Sequence, residues 1–393
     1  MKIYRNIVVT VLCNFFSLAL AGTNEISQAP LGFLAISQAK PNIFFILDDS
    51  GSMQSSALGD EVTINGYQNT IGYRSSLCNK SYYDPSIIYP VPVKYDGTYF
   101  PQQQFTQALY NGFNSSSITV NLSSEFMPWR TQSTVPALPA NTDSVKYRSD
   151  CIAPSGASCA FDPNAPFPNR PEAAHYFVYT GDHPNSLGDN SVNDHCKDIF
   201  HDLNARASRN WTKVTVGSTS GPGGSDERQN FANWFSYHRT RILTMKTAIG
   251  LAFRDMGNQY RVGFTTIGYS GVDNNHPDFL KLDKFSDAHR KSFYDKLYAI
   301  HPVASTPLRA ALSKAGRLYA GKLLTGSDDP IRYSCQKNFT ILSTDGYWNT
   351  AWETNSYGPK KIDGLTNVGD QDNDLPPRGM TVPRMEEHST WRH

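Results

Sequence analysis

Five oxygen-bearing side chains in three separate segments of the chain could bind one metal ion. Asp48, Ser50 and Ser52 alternate along a short turn, Thr306 precedes a proline far downstream, and Asp345 follows a later apolar run. Carboxylates and hydroxyls are hard oxygen donors, and Mg²⁺ prefers six such oxygens while retaining some water. We therefore predict a divalent cation site for Mg²⁺, with Ca²⁺ or Mn²⁺ as alternatives. One position would stay open to water or to a carboxylate from a partner.

Each of these segments also has an ordinary structural interpretation when it is taken alone. Asp, Ser and Gly are common in turns because their side chains bond to the local backbone. A threonine before a proline is a common start of a helix. The combination of all three segments, and not the turn by itself, indicates the metal site. The sequence leaves open whether the metal recognises a ligand or only stiffens the loops.

Two apolar runs that precede the acidic turns have the pattern of buried strands. The run from Asn42 to Leu47 ends at Asp48, and the run from Asn338 to Thr344 ends at Asp345. Continuous apolar strands of this kind are typical of parallel sheets that are covered on both faces. Ligands in such folds bind beyond the carboxyl ends of the strands, which is where both acidic turns would lie.

Between these two runs, the hydrophobic periodicity predicts alternating helices and strands. Asp226 and Gln229 resemble a capping pair before the first helix. The predicted elements are one helix along the apolar stripe from Phe231 to Met256, stopped by Gly257, a strand at Arg261–Gly268, an edge strand at Asp278–Phe285, a helix at Asp287–Ile300, and a helix that Thr306 caps and Gly321 ends. This order predicts an α/β fold with a mostly parallel sheet flanked by helices.

Residues 54–225 have a different composition, rich in Ser, Asn, Pro, Gly and Tyr. They contain short strand-like runs, including Ser117–Leu122, His175–Tyr179 and Lys213–Val216. We predict a large insertion of hairpins and ordered loops. The tyrosines Tyr82, Tyr83 and Tyr89 would either form an adhesive surface or pack on the core.

The N-terminus has the pattern of an export signal. A short positive region precedes the apolar stretch Ile7–Leu20, and Ala19-Leu20-Ala21 fits a cleavage site, so residues 1–21 are predicted to be a signal peptide. Export implies an oxidising environment in which disulfides form. Cys151 and Cys159 are the best candidate pair, and an odd number of cysteines remains after cleavage. The pairing of the others is left open, namely Cys78, Cys196 and Cys335.

Composition excludes several classes of protein. The 393 residues carry a net charge of +1 with 18% charged residues, which argues against a nucleic-acid binder. The mean hydropathy is −0.46 and no long apolar run follows residue 21, so we expect no transmembrane segment in the mature chain. No P-loop, dinucleotide fingerprint or GxSxG elbow occurs in the sequence, so we expect no enzymatic activity.

The metal-site residues resemble those of a known domain. Asp48-x-Ser50-x-Ser52, with Thr306 and Asp345-Gly346, looks like the metal-ion-dependent adhesion site of a von Willebrand factor type A domain. The resemblance implies a Rossmann-like domain formed by residues 22–53 and 226–346. It also implies direct ligation by Ser50, Ser52 and Thr306, with Asp48 and Asp345 close by and partly acting through waters.

A narrower resemblance covers most of residues 1–350. Pro41–Met53, Asn230–Arg241, Ser305–Arg309 and Cys335–Trp348 are similar to segments of the PilY/PilC family, which are secreted proteins of type IV pilus biogenesis, tip adhesion and surface sensing. The implied partners are pilus subunits or minor pilins and a host or surface receptor that presents an acidic group. The implied location is the periplasm or outer membrane, the cell surface or the pilus tip.

The resemblance leaves three roles open: an adhesin that uses the metal, a structural or assembly factor in which the metal only stabilises the domain, and a surface adhesin that acts without pili. Family members continue into a C-terminal β-propeller. Residues 347–393 are polar and interrupted by Pro and Gly, so we expect a poorly ordered tail. We also expect the closing strands of the type A domain and the propeller to be absent, as in a fragment or a truncated chain.

Overall fold

The structure is a computed structural model that describes residues 39–58, 71–126 except 118, 172–180, 196, 211–346 except 303, and 359–368. The predicted signal peptide, the Cys151–Cys159 pair and most of the C-terminal tail lie outside these residues. None of the helices in the described ranges is long and apolar enough to cross a membrane.

Within the described ranges the chain forms strands and helices that we number in chain order. The strands are β1 (Asn42–Leu47), β2 (Ala108–Leu109), β3 (Thr119–Val120), β4 (His175–Tyr179), β5 (Trp211–Thr215), β6 (Arg261–Thr266), β7 (Phe279–Lys284) and β8 (Asn338–Leu342). The α-helices are α1 (Arg228–Tyr237), α2 (Arg241–Phe253), α3 (Asp287–Ala299) and α4 (Leu308–Tyr319). Short 3₁₀ helices include Gly51–Gln54, directly after the first strand.

A four-stranded mixed sheet lies at the centre of the described fold, in the order β7-β6-β1-β8. β1 is parallel to both of its neighbours, with Phe45 opposite Phe264 on β6 and Ile341 on β8. β7 pairs antiparallel with β6 at one edge. The predicted strand at residues 278–285 is therefore an edge strand, as expected, and the fold is mixed α/β.

The two faces of β1 bury different sets of side chains, because successive residues of a strand point to opposite faces. Phe45 and Leu47 belong to the larger core cluster, which includes the rings of Phe253 on α2 and Phe293 on α3. These two rings stack with centroids 4.7 Å apart. On the other face, Phe44 and Ile46 join a second cluster of apolar residues, in which α4 contributes Leu308, Ala311, Ala315 and Leu318. Helices therefore cover both faces of the sheet, as predicted.

β8 forms the other edge of the sheet and is more exposed than its apolar sequence suggests. The side chains of Phe339 and Ile341 are 52% and 44% exposed. Within the described part of the chain, β1 is the strand that pairs with β8.

The prediction of one long helix from Phe231 to Met256 is wrong, because α1 ends at Tyr237 and α2 begins at Arg241. The Arg239 guanidinium lies over the ring of Tyr110 at 3.9 Å and donates a hydrogen bond to the Phe235 carbonyl. The hydroxyl of Thr240 accepts a hydrogen bond from the Leu243 amide and so starts a new helix. These tertiary and capping contacts interrupt a stripe that is continuous in sequence.

Three predicted helix boundaries are also corrected. Asp226 and Gln229 do not form a reciprocal capping pair. The Asp226 carboxylate accepts a hydrogen bond from the Arg228 amide at 3.0 Å, but the Gln229 side chain donates to the Gln103 carbonyl, and Glu227 occupies the N-cap position. α2 ends at Phe253, before Gly257. Thr306 is not the cap of α4, because Pro307 occupies that position in a non-helical conformation and the helix begins at Leu308.

The described parts of the region predicted to be an insertion include two small antiparallel sheets, and aromatic side chains from this region pack on α1. β2 pairs with β3 and β4 pairs with β5, all antiparallel. Tyr82 and Tyr83 are buried, and the Tyr83 ring lies 4.8 Å from that of Phe231. The indole nitrogen of Trp234 donates a hydrogen bond of 3.0 Å to the Ser81 carbonyl. The sequence left open whether these tyrosines form an adhesive surface or pack on the core. Tyr82 and Tyr83 lie in the core, and Tyr89 packs against it.

One disulfide, between Cys78 and Cys196, ties two parts of this region together across a sequence separation of 118 residues. Cys335 is exposed and has no disulfide partner within the described residues.

Candidate metal centre

Backbone pairing beyond the ends of the strands brings the three predicted ligand segments together. The Ile267 amide donates to the Leu47 carbonyl at 2.9 Å, and the Ser343 amide donates to the Ile46 carbonyl at 3.0 Å. The turn after β1 also pairs with the segment before α4, since the Gly51 amide donates to the Ala304 carbonyl at 3.0 Å. The turns that carry Asp48 and Asp345 therefore lie at the same edge of the sheet.

Four of the five predicted ligands form one continuous hydrogen-bonded set. The Oδ1 atom of Asp48 accepts a hydrogen bond from the Ser50 amide at 2.8 Å. The hydroxyls of Ser50 and Ser52 are 2.9 Å apart, and the Ser52 hydroxyl donates to Oδ1 of Asp345 at 3.2 Å. Residues more than 290 positions apart in sequence thus share one site.

Thr306, the fifth predicted ligand, is buried and 4% exposed. It lies two residues after Ala304, whose amide donates to the Asp49 carbonyl at 2.9 Å. The structure therefore places the Thr306 segment against the same turn.

Burial differs across the site. Asp48 is fully buried, Ser50 is 1% exposed, and Ser52 is exposed to solvent. The Oδ2 atom of Asp48 has no hydrogen-bond partner among the described residues. A buried polar atom without a partner costs free energy, so this oxygen marks a position where a ligand would be stabilising.

Arg241, a residue to which the sequence assigned no role, contacts the site from the start of α2. One guanidinium nitrogen, Nη1, donates to Oδ2 of Asp345 and forms an ion pair with it. Both side chains are largely buried, with 13% of Arg241 and 6% of Asp345 exposed. One oxygen of the Asp345 carboxylate therefore accepts a hydrogen bond from Ser52, and the other oxygen accepts one from Arg241.

Asp49 points away from the predicted ligands. Its Oδ1 atom accepts a hydrogen bond from the Gly268 amide at 2.9 Å, and burial raises the pKa of this carboxyl to about 6. A Cβ atom at position 268 would lie only 2.5 Å from the Cβ atom of Ala304, which is too close for two carbon atoms. Glycine at this position therefore permits the close packing.

Lys314 lies beneath the same turn in the apolar layer that α4 covers. Burial lowers the pKa of its ammonium to about 7, and the negative charge of Asp49 partly offsets that effect. The ammonium donates to Thr265 Oγ1 at 2.8 Å and to the Tyr269 carbonyl. The buried charges of Asp49 and Lys314 thus hold the loop after β6 against α4.

Sequence reasoning could have found some of these additional residues. Asp49 stands inside the acidic turn, and Lys314 interrupts the apolar stripe of α4 between Ala311 and Ala315. No local sequence pattern indicates the role of Arg241, because the residue it contacts, Asp345, lies 104 positions away in the chain.

The donor set is compatible with a hard divalent cation. It contains three hydroxyls and two carboxylates, and one of these carboxylates has a buried oxygen without a partner among the described residues. Within the described ranges no group of three or more His, Cys, Asp or Glu side chains is placed to hold a metal. The hydroxyl oxygens are therefore an essential part of this candidate site.

Comparison with known proteins places these features in a family context. The chain is 28% identical over 351 residues to the Type IV pilus biogenesis factor PilY1 of Pseudomonas aeruginosa strain PAK, covering 84% of this chain and 25% of that protein. It is 29% identical over 337 residues to the protein of the same name from strain UCBPP-PA14, covering 83% of this chain and 24% of that protein. These matches confirm the resemblance to the PilY/PilC family.

The chain spans about a quarter of the length of the curated relatives it matches. No family model matches the sequence. No solved structure matches the fold.

Proposed function

We propose that this chain is a secreted, type IV pilus-associated protein that binds partners through a metal ion held at the turn after β1. The observation that carries the proposal is the unpartnered Oδ2 atom of the buried Asp48 carboxylate, beside two hydrogen-bonded serines. A bound cation would supply the missing interaction. Mg²⁺ suits these hard oxygens best, with Ca²⁺ or Mn²⁺ as alternatives.

The five residues would hold the cation in two ways. Ser50, Ser52 and Thr306 would bind through their hydroxyl oxygens, while Asp48 and Asp345 would lie close by and act partly through waters. The cation would supply a concentrated positive charge at the surface. Because Ser52 is exposed, an acidic group of a partner could approach the site from solvent.

A von Willebrand factor type A architecture is part of this proposal. It is supported by the central position of β1, which is parallel to both β6 and β8, and by helices on both faces of the sheet. Acidic turns follow β1 and β8 at the edge where ligands bind in such folds. Residues 22–53 and 226–346 would form this domain, and residues 54–225 would be the insertion.

The pilus role is supported by the relatives, which are named as type IV pilus biogenesis factors. We propose pilus subunits or minor pilins as partners, together with a receptor that presents an acidic group. After removal of a signal peptide, the protein would act in the periplasm or outer membrane, at the cell surface or at the pilus tip. It would act by binding and not by catalysis.

The proposal is tested by measuring binding of the purified full chain to isolated pili and to host cells, in MgCl₂ and in EDTA. The Asp48→Ala variant should lose the metal-dependent part of the binding while the protein stays folded. Asp283→Ala, which removes an exposed carboxylate from β7, is the matched control and should bind like the wild type. If Asp48→Ala binds as tightly in EDTA as the wild type does in MgCl₂, the metal has no part in recognition.

A second role, in pilus assembly, is favoured by the words "biogenesis factor" in the relatives' names. Counting pili on a strain that carries Asp48→Ala distinguishes the two. Normal piliation with lost adhesion supports recognition through the metal, and lost piliation supports assembly. Adhesion that persists in a strain without pili would support a surface adhesin that acts independently of them.

A further inference from the structure

We propose that Arg241 sets the net charge of the metal centre, so that a bound divalent cation keeps enough positive charge to attract an anionic group of a partner. This inference rests on the metal site described under the proposed function. It concerns the balance between holding the cation and presenting its charge.

Arg241 is held in place by three bonds at the first turn of α2. Its backbone amide donates to the Ser55 carbonyl at 3.0 Å, and its Nε donates to the Ala57 carbonyl at 2.7 Å. Its Nη1 forms the ion pair with Asp345. Only 13% of the side chain is exposed, so the guanidinium is a fixed charge and not a mobile surface group.

The effect of Arg241 on the net charge of the site depends on the other charged side chains around it. Asp48 and Asp345 contribute two negative charges, which alone would neutralise a divalent cation. Asp49 is turned away onto the Gly268 amide and interacts electrostatically with Lys314. Because Arg241 offsets the charge of Asp345, the loaded site would carry about one positive charge in place of none, which favours a carboxylate as the outer ligand.

This balance predicts two effects of opposite sign when the charge of Arg241 is removed. The Arg241→Gln variant should bind a divalent cation about tenfold more tightly, the size expected for one unit charge near a divalent ion in a solvent-like dielectric. The loaded variant should bind an added carboxylate several-fold more weakly. A residue that only braces the loop would reduce both affinities when it is removed.

The experiment uses the full chain with Mn²⁺ as the probe cation and acetate as the probe anion. Calorimetry gives the Mn²⁺ affinity, and relaxation of the acetate methyl protons by bound Mn²⁺ gives the acetate affinity. The variants are Arg241→Gln and Arg241→Lys, with Arg254→Gln as the control because Arg254 lies at the other end of α2 and pairs with Asp255.

The expected result is tighter Mn²⁺ and weaker acetate binding for Arg241→Gln, and values within about threefold of the wild type for Arg241→Lys and Arg254→Gln. Unchanged or weaker Mn²⁺ binding by folded Arg241→Gln would overturn the inference. If that variant fails to fold, a tenfold loss of Mn²⁺ affinity in Arg241→Lys overturns it equally, since lysine keeps the charge. A wild-type chain that does not bind Mn²⁺ would instead refute the proposed metal site itself.

Discussion

Replacing Asp48 with asparagine should stabilise the metal-free protein. The Asp48 side chain is fully buried and its Oδ2 atom has no hydrogen-bond partner among the described residues. An unsatisfied buried polar group costs about 1–3 kcal/mol, and a charged one costs more. Asparagine keeps the oxygen that accepts from the Ser50 amide, and its amide nitrogen takes the position of Oδ2. Because that nitrogen is also polar, the expected gain comes from removing the buried charge. We expect a gain of about 1 kcal/mol in the free energy of unfolding, which corresponds to about 2–4 °C in Tm.

Thermal unfolding followed by circular dichroism, in EDTA and in MgCl₂, measures this effect. In EDTA the Asp48→Asn variant should unfold at a higher temperature than the wild type. In MgCl₂ the order should reverse, because a ligand present at a hundred times its Kd adds about 2.7 kcal/mol to the stability of the protein that binds it.

Asp345→Asn is the matched comparison, since it removes the same charge from the same site. This substitution breaks the buried ion pair with Arg241, so it should lower the free energy of unfolding in EDTA by about 1.5–3 kcal/mol. The reasoning is refuted if Asp48→Asn unfolds at a lower temperature than the wild type in EDTA. A wild-type Tm that does not respond to MgCl₂ would contradict the metal site.

Three further predictions concern the scaffold. Replacing both Cys78 and Cys196 with serine should lower the free energy of unfolding in urea by about 2–5 kcal/mol, because the bridge closes a long loop. Burial lowers the pKa of His175 to about 3, so the unfolded chain gains a proton around and below pH 6.5 that the folded chain does not. Stability should therefore fall by about 1.6 kcal/mol from pH 6.5 to 5, and His175→Gln should flatten that profile in urea titrations. Phe293→Ala should cost about 3–5 kcal/mol in the same assay, because the ring is fully buried against Phe253.

Local patterns were sufficient to predict the strands of the central sheet. β1 has the predicted bounds, and β6, β7 and β8 differ from prediction only at their ends. Outside this sheet, β4 also has the predicted bounds. β1 and β8 are nearly continuous apolar or β-branched runs, and β7 alternates apolar with charged residues as an edge strand does, so each signal is contained within a few neighbouring residues.

Features that depend on distant contacts were not predictable in this way. The break between α1 and α2 depends on Arg239 packing against Tyr110, a residue of the predicted insertion. The pairing of Cys78 with Cys196 and the contact of Arg241 with Asp345 likewise join remote segments. For the candidate site, residue type and strand ends indicated the three segments, whereas the charge balance became visible only in three dimensions.

The central position of β1 also constrains the order in which this chain can be assembled. β1 is near the start of the chain, yet its two partners are β6 and β8, and the contact between Asn42 and Asn338 spans 296 positions. Closing such long loops adds little to the equilibrium cost but slows folding. One edge of β1 stays without its partner until β6 is available and the other until β8 is available. The candidate cation site is completed only when Asp345, which follows β8, takes its place.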